Sequence, residues 1–386
     1  MGLCLESGYT SLNKKNEELC GDKVETIVNG DYTTLVLADG LGSGVKANIL
    51  STLTSKILCT MVANGIGIEA CVETILQSLP VCKVRGVAYA TFSVIHMNRE
   101  GKGYLFEFDN PQAILMRDCK CRDLGRTEMN ILGKTVYRSD LDLKEGDVLV
   151  VMSDGVIHAG IGMTLNFGWQ RPEVMAFLDR VAEPDMTAPC IACLLAGACN
   201  DLYMDQPGDD TTVAAVRVRE ECRVSIMVGP PVDQSQDNFY IARFLEGDGK
   251  KIVCGGTSSQ IVARYLGKKV VASFDYPDED VPPIGYIEGI DLTTEGVLTL
   301  RKLLQYSERY LSPRDLSPKY YRQKDGASLL ADYLFVKATS VTFFVGQSIN
   351  KAHQGLPIDT TMKLKLVETL SENLRKMGKI VEVNYD

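Results

Sequence analysis

Apolar and polar positions along the first 220 residues fall into two textures. Tyr32 to Ala38 is a β-rich run, and Val87 to Met97 and Tyr104 to Phe108 are two more, parted by the turn-forming Asn98 to Gly103. Gln112 to Arg117, Asp147 to Met152 and Thr211 to Val218 complete the predicted strands. Helical spacing covers Val45 to Asn64, Ile68 to Leu79, Pro172 to Val181 and Ala188 to Tyr203. Strands grouped with turns, and helices grouped apart from them, predict layered α and β with antiparallel sheets. A doubly wound parallel sheet fits this half poorly.

Near residue 220 the texture changes. The charged stretch Arg217 to Arg223 leads into Val224 to Val228 and then Gly229-Pro230-Pro231. Strands at Lys251 to Cys254, Lys269 to Ser273, Ser340 to Val345 and Lys379 to Asn384 then alternate with helices at Ser258 to Leu266, Glu295 to Tyr310 and Thr361 to Met377. That alternation predicts βαβ units and a mostly parallel sheet. The expected organisation is an α+β domain over residues 1–222 and a smaller α/β domain over residues 223–386. Tyr306 to Ala327, rich in Arg, Lys, Tyr, Ser and Pro, reads as an irregular surface excursion, a lid or an interface.

The length of 386 residues suits two or three domains. A 45% apolar and 24% charged composition is that of a folded globular chain. Its 41 basic against 50 acidic residues give a net charge of -9, which argues against a nucleic-acid backbone as partner. No apolar run is long enough for a spanning helix. The start, Met1 to Thr10, lacks the basic opening of a secretory signal, and Glu6 breaks the acylation pattern that begins Met1-Gly2. The expected compartment is the cytoplasm, where the 12 cysteines stay reduced. Cys119 and Cys121, and Cys190, Cys193 and Cys199, read as small buried hydrophobes in preference to a zinc site. His96, His158 and His353 are too few and dispersed for an imidazole-rich metal site, so any metal must be held by oxygen.

Such oxygens recur in one pattern. Asp22 in Cys20-Gly21-Asp22, Asp39 in Ala38-Asp39-Gly40, Asp154 in Ser153-Asp154-Gly155 and the pair Asp209-Asp210 each adjoin Gly or another Asp at a strand edge or turn. One Asp-Gly is an ordinary turn; four at strand ends suggest a single site, with Gly letting a backbone carbonyl approach as a further ligand. Hard divalent cations favour this donor set, and a pair of them can activate water and clamp a phosphate. Gly40-Leu41-Gly42-Ser43-Gly44 is neither a dinucleotide nor a phosphate loop, because Val45-Lys46-Ala47 stands where those patterns need Gly or Gly-Lys-Ser/Thr. It reads as a hinge into the following helix.

The order of these motifs resembles the metal-dependent serine/threonine phosphatases of the PP2C type, in the bacterial branch typified by SpoIIE. The matching text is Cys20-Gly21-Asp22, Ala38-Asp39-Gly40-Leu41-Gly42-Ser43-Gly44, Tyr89-Ala90-Thr91-Phe92, Phe108-Asp109-Asn110-Pro111, Leu143-Lys144-Glu145-Gly146-Asp147, Ser153-Asp154-Gly155-Val156 and Gly208-Asp209-Asp210-Thr211-Thr212. The resemblance implies an αββα sandwich of antiparallel sheets and two Mn²⁺ or Mg²⁺ ions. It makes Asp39 the bridging carboxylate, gives the Gly40 carbonyl to one ion and Asp154 and Asp209 to the second, and has Asp22 hold metal-bound water or complete the cluster. Asp39, Asp154 and Asp209 are then the catalytic residues, and Asp210 an orienting neighbour. Leu41 stands in the region where eukaryotic relatives carry a proton-donating His; the bacterial branch lacks it too, leaving a metal-bound water as the acid. The implied reaction is direct attack of metal-activated water on phosphoserine or phosphothreonine. In this branch the substrate is often a phosphorylated anti-sigma antagonist, and the helices from Val45 to Leu79 act as a switch. A homodimer is compatible with this reading.

Two other functions stay open at this point: a catalytically weak phosphatase-fold scaffold with a ligand-sensing second domain, and hydrolysis of a small phosphorylated metabolite. In the second domain, Gly229 and Gly255-Gly256-Thr257 follow apolar strands, where they either cradle a ligand or make tight turns. Thr294 is expected to cap the helix that begins at Glu295.

Overall fold

The computed structural model describes residues 2–78, 90–273, 283–311, 325–348 and 358–385. The chain divides into two compact units, Met1–Glu220 and Glu221–Asp386. The first contains β1 (Leu3–Leu12), β2 (Asp22–Asn29), β3 (Tyr32–Gly40), α1 (Gly44–Ala63), α2 (Ile68–Ser78), β4 (Ala90–Asn98), β5 (Lys102–Phe108), β6 (Ile114–Arg117), β7 (Lys120–Arg122), β8 (Thr127–Ile131) and β9 (Lys134–Asp142). It continues through β10 (Val148–Met152), α3 (Asp154–Ile157), α4 (Arg171–Val181), α5 (Ala188–Leu202) and β11 (Thr211–Glu220). Residues 79–89, including Tyr89 and the predicted start of β4, lie outside the described residues.

These strands form two antiparallel sheets, ordered β2-β3-β4-β5-β9-β8 and β1-β11-β10-β6-β7. Between the sheets lies a core that includes Leu35, Leu37, Ile95, Leu105, Leu149, Val151 and Ala214. Helices α1 and α2 cover the outer face of the first sheet, on Val36, Ala38, Phe92 and Val94. Helices α4 and α5 cover the second, on Val148, Val150, Met152, Val213 and Ala215. The unit is an αββα sandwich, the fold class expected. Its central strands are buried on both faces, which is why β3 and β10 read as near-continuous apolar runs.

Five strands escaped the sequence pattern: β1, β2, β7, β8 and β9. In β1 the reason is Glu6, a carboxylate at a buried position. Its Oε1 accepts from Arg219 Nη1 at 2.9 Å, and its Oε2 accepts from the Ala188 backbone N–H at 3.1 Å, in the first turn of α5. Both partners are distant in sequence, so no local pattern announces that Glu6 belongs inside.

A second buried acid, Glu107 on β5, accepts from Ala113 N–H at 2.7 Å, and burial raises its pKa from 4.5 to about 6. A carboxyl pKa raised by folding means that the native state holds the proton more tightly. Its contribution is therefore fully present below pH 4.5 and lost as pH rises through about 6. Glu107→Gln keeps the acceptor and removes the titration. Urea midpoints at pH 4.5 and 7 are expected to show the wild type losing about 2 kcal/mol relative to the variant. Parallel pH profiles for the two proteins would remove this assignment.

The second unit contains β12 (Arg223–Val228), a 3-10 turn (Gln234–Gln236), α6 (Asp237–Leu245), β13 (Lys250–Cys254), α7 (Gly256–Leu266), β14 (Val271–Ala272), β15 (Gly285–Tyr286) and β16 (Leu292–Thr294). It ends with α8 (Val297–Tyr310), α9 (Gly326–Ala331), a π-helical stretch (Asp332–Lys337), β17 (Ser340–Val345), α10 (Ile358–Lys376) and β18 (Ile380–Tyr385). The sheet order is β14-β15-β16-β13-β12-β17-β18; β16, β13, β12, β17 and β18 run parallel, and β14 and β15 form an antiparallel edge. Helices α6 and α7 pack on Met227, Val253 and Phe344 on one face, and α8, α9 and α10 on Ile226, Ile252 and Phe343 on the other.

Here the structure corrects several details. Thr294 ends β16 instead of capping a helix: its Oγ1 donates to the Glu295 carbonyl. The α8 N-cap is Gly296, and Glu295 Oε2 accepts from Leu298 N–H at 3.1 Å. Of the predicted excursion, Tyr306 to Tyr310 belong to α8 and Gly326-Ala327 to α9, while residues 312–324 lie outside the described residues, as does His353.

Candidate metal centre

The two sheets of the first unit bring their carboxylates to one edge. Asp22 opens β2 and stands directly opposite Asp39 near the end of β3, with Thr91 of β4 on the other side of Asp39. On the second sheet, β10 stops at Met152 and hands over to Ser153 and Asp154, while Asp209 and Asp210 lead into β11. Ser153 ties the sheets together. Its Oγ donates to Asp22 Oδ2 at 2.7 Å and accepts from Thr212 N–H at 2.9 Å, and its own N–H donates to the Thr212 carbonyl at 2.9 Å.

The glycines beside the acids serve close packing. A Cβ on Gly40 would stand 2.1 Å from the Ala47 carbonyl oxygen of α1, and one on Gly155 would stand 2.1 Å from the Asp210 carbonyl oxygen. Neither contact leaves room for a side chain. Gly40 N–H donates to the Gly21 carbonyl at 3.1 Å, which binds the Asp22 and Asp39 segments to each other.

Crowding acids at the rim of a core has an electrostatic cost. Burial, with the charges of Asp22, Asp154, Asp209 and Asp210 added, raises the Asp39 pKa to about 9. Burial raises Asp22 to about 7 against the opposing hydrogen bonds from Ser153 and Thr212. Asp154 is raised as well, chiefly by burial, and shares a hydrogen bond with Asp39. Two carboxylate oxygens, Asp22 Oδ1 and Asp210 Oδ2, are fully buried and find no hydrogen-bond partner among the described residues. Among those residues no group of three or more His, Cys, Asp or Glu side chains has the geometry to hold a metal ion as it stands. Orphaned acceptors and mutually raised acids are nevertheless the donor chemistry that a hard divalent cation satisfies, so the residues present fit such an ion.

Sequence reasoning thus singled out acids that the fold does bring together: Asp22, Asp39, Asp154, Asp209 and Asp210. It missed their supports. Lys14 donates its backbone N–H to Asp210 Oδ1 at 3.0 Å and places its Nζ 3.4 Å from Asp209 Oδ1. His158 sits one turn beyond Asp154, with Nδ1 3.7 Å from Asp154 Oδ2; the i, i+4 spacing was the available signal. The Tyr203 hydroxyl donates to the Gly155 carbonyl at 2.8 Å. Thr91 Oγ1 donates to Asn110 Oδ1 at 2.6 Å, and Asn110 Nδ2 donates to Ser93 Oγ at 3.0 Å, so the Thr91 and Asn110 motifs pin β4 to the turn after β5.

Of the cysteines read as buried, Cys193 and Cys199 are buried, whereas Cys119, Cys121 and Cys190 are partly exposed. Burial pushes the Cys190 thiol up to about 12 and Cys193 to about 11. His96 stacks on Tyr32 with ring centroids 4.9 Å apart and shares a 2.9 Å hydrogen bond with Thr34.

With that geometry in place, comparison with known proteins is decisive for the first unit. The sequence model of the family described as stage II sporulation protein E (SpoIIE) matches residues 29–219. This span is a SpoIIE-family domain. Its fold is that of the PP2C-type phosphatases. Among solved structures, the SpoIIE phosphatase domain from Bacillus subtilis, in a crystal form without domain swapping, is 19% identical with a TM-score of 0.45, over 57% of this chain and 94% of that one. A second SpoIIE structure from the same organism, the PP2C domain with a fragment of its regulatory domain, is 21% identical with a TM-score of 0.47, over 55% of this chain and 63% of that one. The catalytic domain of the serine/threonine phosphatase PstP, in complex with two manganese ions, is 14% identical with a TM-score of 0.37, over 56% and 100%. No curated protein matches the chain.

Proposed function

We propose that the SpoIIE-family unit hydrolyses phosphoserine or phosphothreonine on a protein substrate, with two Mn²⁺ or Mg²⁺ ions held by Asp22, Asp39, the Gly40 carbonyl, Asp154 and Asp209. The observation that carries this is the pair of buried, unpartnered carboxylate oxygens inside a cluster of acids that burial and mutual repulsion have raised. Divalent ions bound there supply Lewis acidity and a nucleophile active at neutral pH. Asp39, central among the acids, would hold the ions together with its neighbours. Ser153 and Thr212 fix Asp22, and Lys14 keeps the outer acids Asp209 and Asp210 in place. Asp210, with its own unpartnered oxygen, stands beside these ligands.

The half-exposed His158 sits beside Asp154 at the rim of the site, its Nδ1 3.7 Å from Asp154 Oδ2. The substrate class that follows from the family resemblance is a phosphorylated regulatory protein, such as an anti-sigma antagonist, in the bacterial cytoplasm. Among the described residues no helix is long and apolar enough to cross a membrane.

The test is hydrolysis of an aryl phosphate and of phosphoserine peptides by the full chain after chelator treatment, with Mn²⁺ or Mg²⁺ restored. Turnover of both substrates is expected only with metal, together with a rise in Tm on metal addition as the repulsion among the acids is relieved. Metal-independent turnover, or the absence of both turnover and a Tm shift with either metal, counts against the reading. Turnover of the aryl phosphate but not of any phosphopeptide would move the substrate class to small metabolites.

A further inference from the structure

In the second unit the parallel strands run in the order β16-β13-β12-β17-β18, so the winding reverses between β12 and β17. In sheets of this kind a crevice opens outside the carboxyl ends of the strands at that reversal. Four strands reach it level. Val345, Val228, Cys254 and Thr294 form one row across β17, β12, β13 and β16. The residues just beyond are Gly346, Gly229, Gly255 and, after Glu295, Gly296.

This edge is therefore a floor of backbone. A Cβ on Gly346 would lie 2.0 Å from the Pro230 carbonyl oxygen, and one on Gly229 would lie 2.8 Å from Lys363 Nζ. Lys363, on α10, is buried, and its ammonium donates to the Gly346 carbonyl, which sets a positive charge at the point of reversal. One strand away, α7 starts behind Gly255, whose φ of +119° only glycine adopts readily, and no side chain caps its first turn. In that turn Ser258 is 1% exposed, and its hydroxyl finds no partner among the described residues. The Oγ lies 3.4 Å from the Cβ position of Gly255, against 4.0 Å for its own Cβ, so the hydroxyl aims back at the helix start. Of the acids next along this edge, Glu295 is engaged on Leu298 N–H and Asp233 on Ser235.

We propose that this edge binds a diphosphate-bearing small molecule of the nucleoside diphosphate class. One phosphate sits on the first turn of α7 with Ser258, and the other reaches the Lys363 ammonium. Neighbouring strands lie about 5 Å apart, a separation that a diphosphate bridges. A bare helix start, an unfilled hydroxyl, a buried cation and a floor without side chains are the parts that such a ligand needs.

The experiment is calorimetric titration of the full chain, treated with chelator so that the acidic site of the first unit takes no phosphate, with ADP, inorganic pyrophosphate and adenosine. ADP and pyrophosphate are expected to bind and adenosine to give no heat. Ser258→Ala and Lys363→Met should each weaken ADP by at least about tenfold, while Asp39→Asn leaves it unchanged. Melting curves establish that each variant is folded, and Ser258→Ala, which deletes one unpartnered oxygen, serves if Lys363→Met does not fold. The proposal is overturned if neither ADP nor pyrophosphate binds, if adenosine binds as tightly as ADP, or if folded Ser258→Ala binds ADP like the wild type.

Discussion

Asp39→Asn is expected to lower metal-dependent kcat by about 10³-fold or more, because it removes the acid placed among all the others while keeping its size. The same change should make the metal-free protein more stable. Asp39 is held near pKa 9 by burial and by four neighbouring carboxylates, so at pH 7 its native state carries a proton that the unfolded chain releases. An amide there needs no proton. The variant should therefore melt higher than wild type without metal and gain less from Mn²⁺. Loss of activity with an unchanged metal-free Tm would show that the electrostatic account is wrong even if the residue is essential. Equal kcat in both proteins would remove Asp39 from the site.

Gly40→Ala should act through packing. The added methyl would meet the Ala47 carbonyl oxygen at 2.1 Å, and a helix backbone cannot yield as a side-chain tip can. Separation of α1 from β3 is expected to cost about 3 kcal/mol, which corresponds to a fall of about 6–12 °C in Tm for a unit of this size. Activity should fall with it, since Asp39 is the preceding residue. Gly125→Ala is the control, because nothing lies within 4 Å of its Cβ position and its φ is unremarkable for any residue; its stability should stay within about 0.5 kcal/mol of wild type. A Gly40→Ala protein as stable as that control would show that the close approach is not required.

Legibility in the sequence followed locality. The four long helices of the first unit lie within a residue or two of the predicted spans, because each repeats its buried positions at helical spacing over three or more turns. The doubly covered strands β3, β10 and β11 were legible as apolar runs. Strands β8 and β9 were not: they form an edge hairpin around Leu132-Gly133 with few buried positions, so little alternation marks them. In the second unit α6, α9, β15 and β16 were missed; α9, β15 and β16 are too short to establish a period. The acids of the candidate site were legible because each sits next to Gly or another Asp. Ser153, Lys14 and His158 were not, since a serine, a lysine and a histidine have no distinctive neighbours until the fold places them beside an acid.

The amino-acid sequence by itself determined the fold class and the set of acids on offer, since both are written in local periodicity and in residue type. The tertiary structure alone decided that Asp22, Asp39, Asp154, Asp209 and Asp210 face one another, that Ser153 joins the two sheets, and that Asp22 Oδ1 and Asp210 Oδ2 lack partners among the described residues. It also decided that the glycines at Gly40 and Gly155 are demanded by backbone packed against them. The physical reason is the same in each case. Mutual repulsion, orphaned acceptors and steric closeness are properties of pairs of groups, and those pairs join residues as far apart in sequence as Asp22 and Asp210.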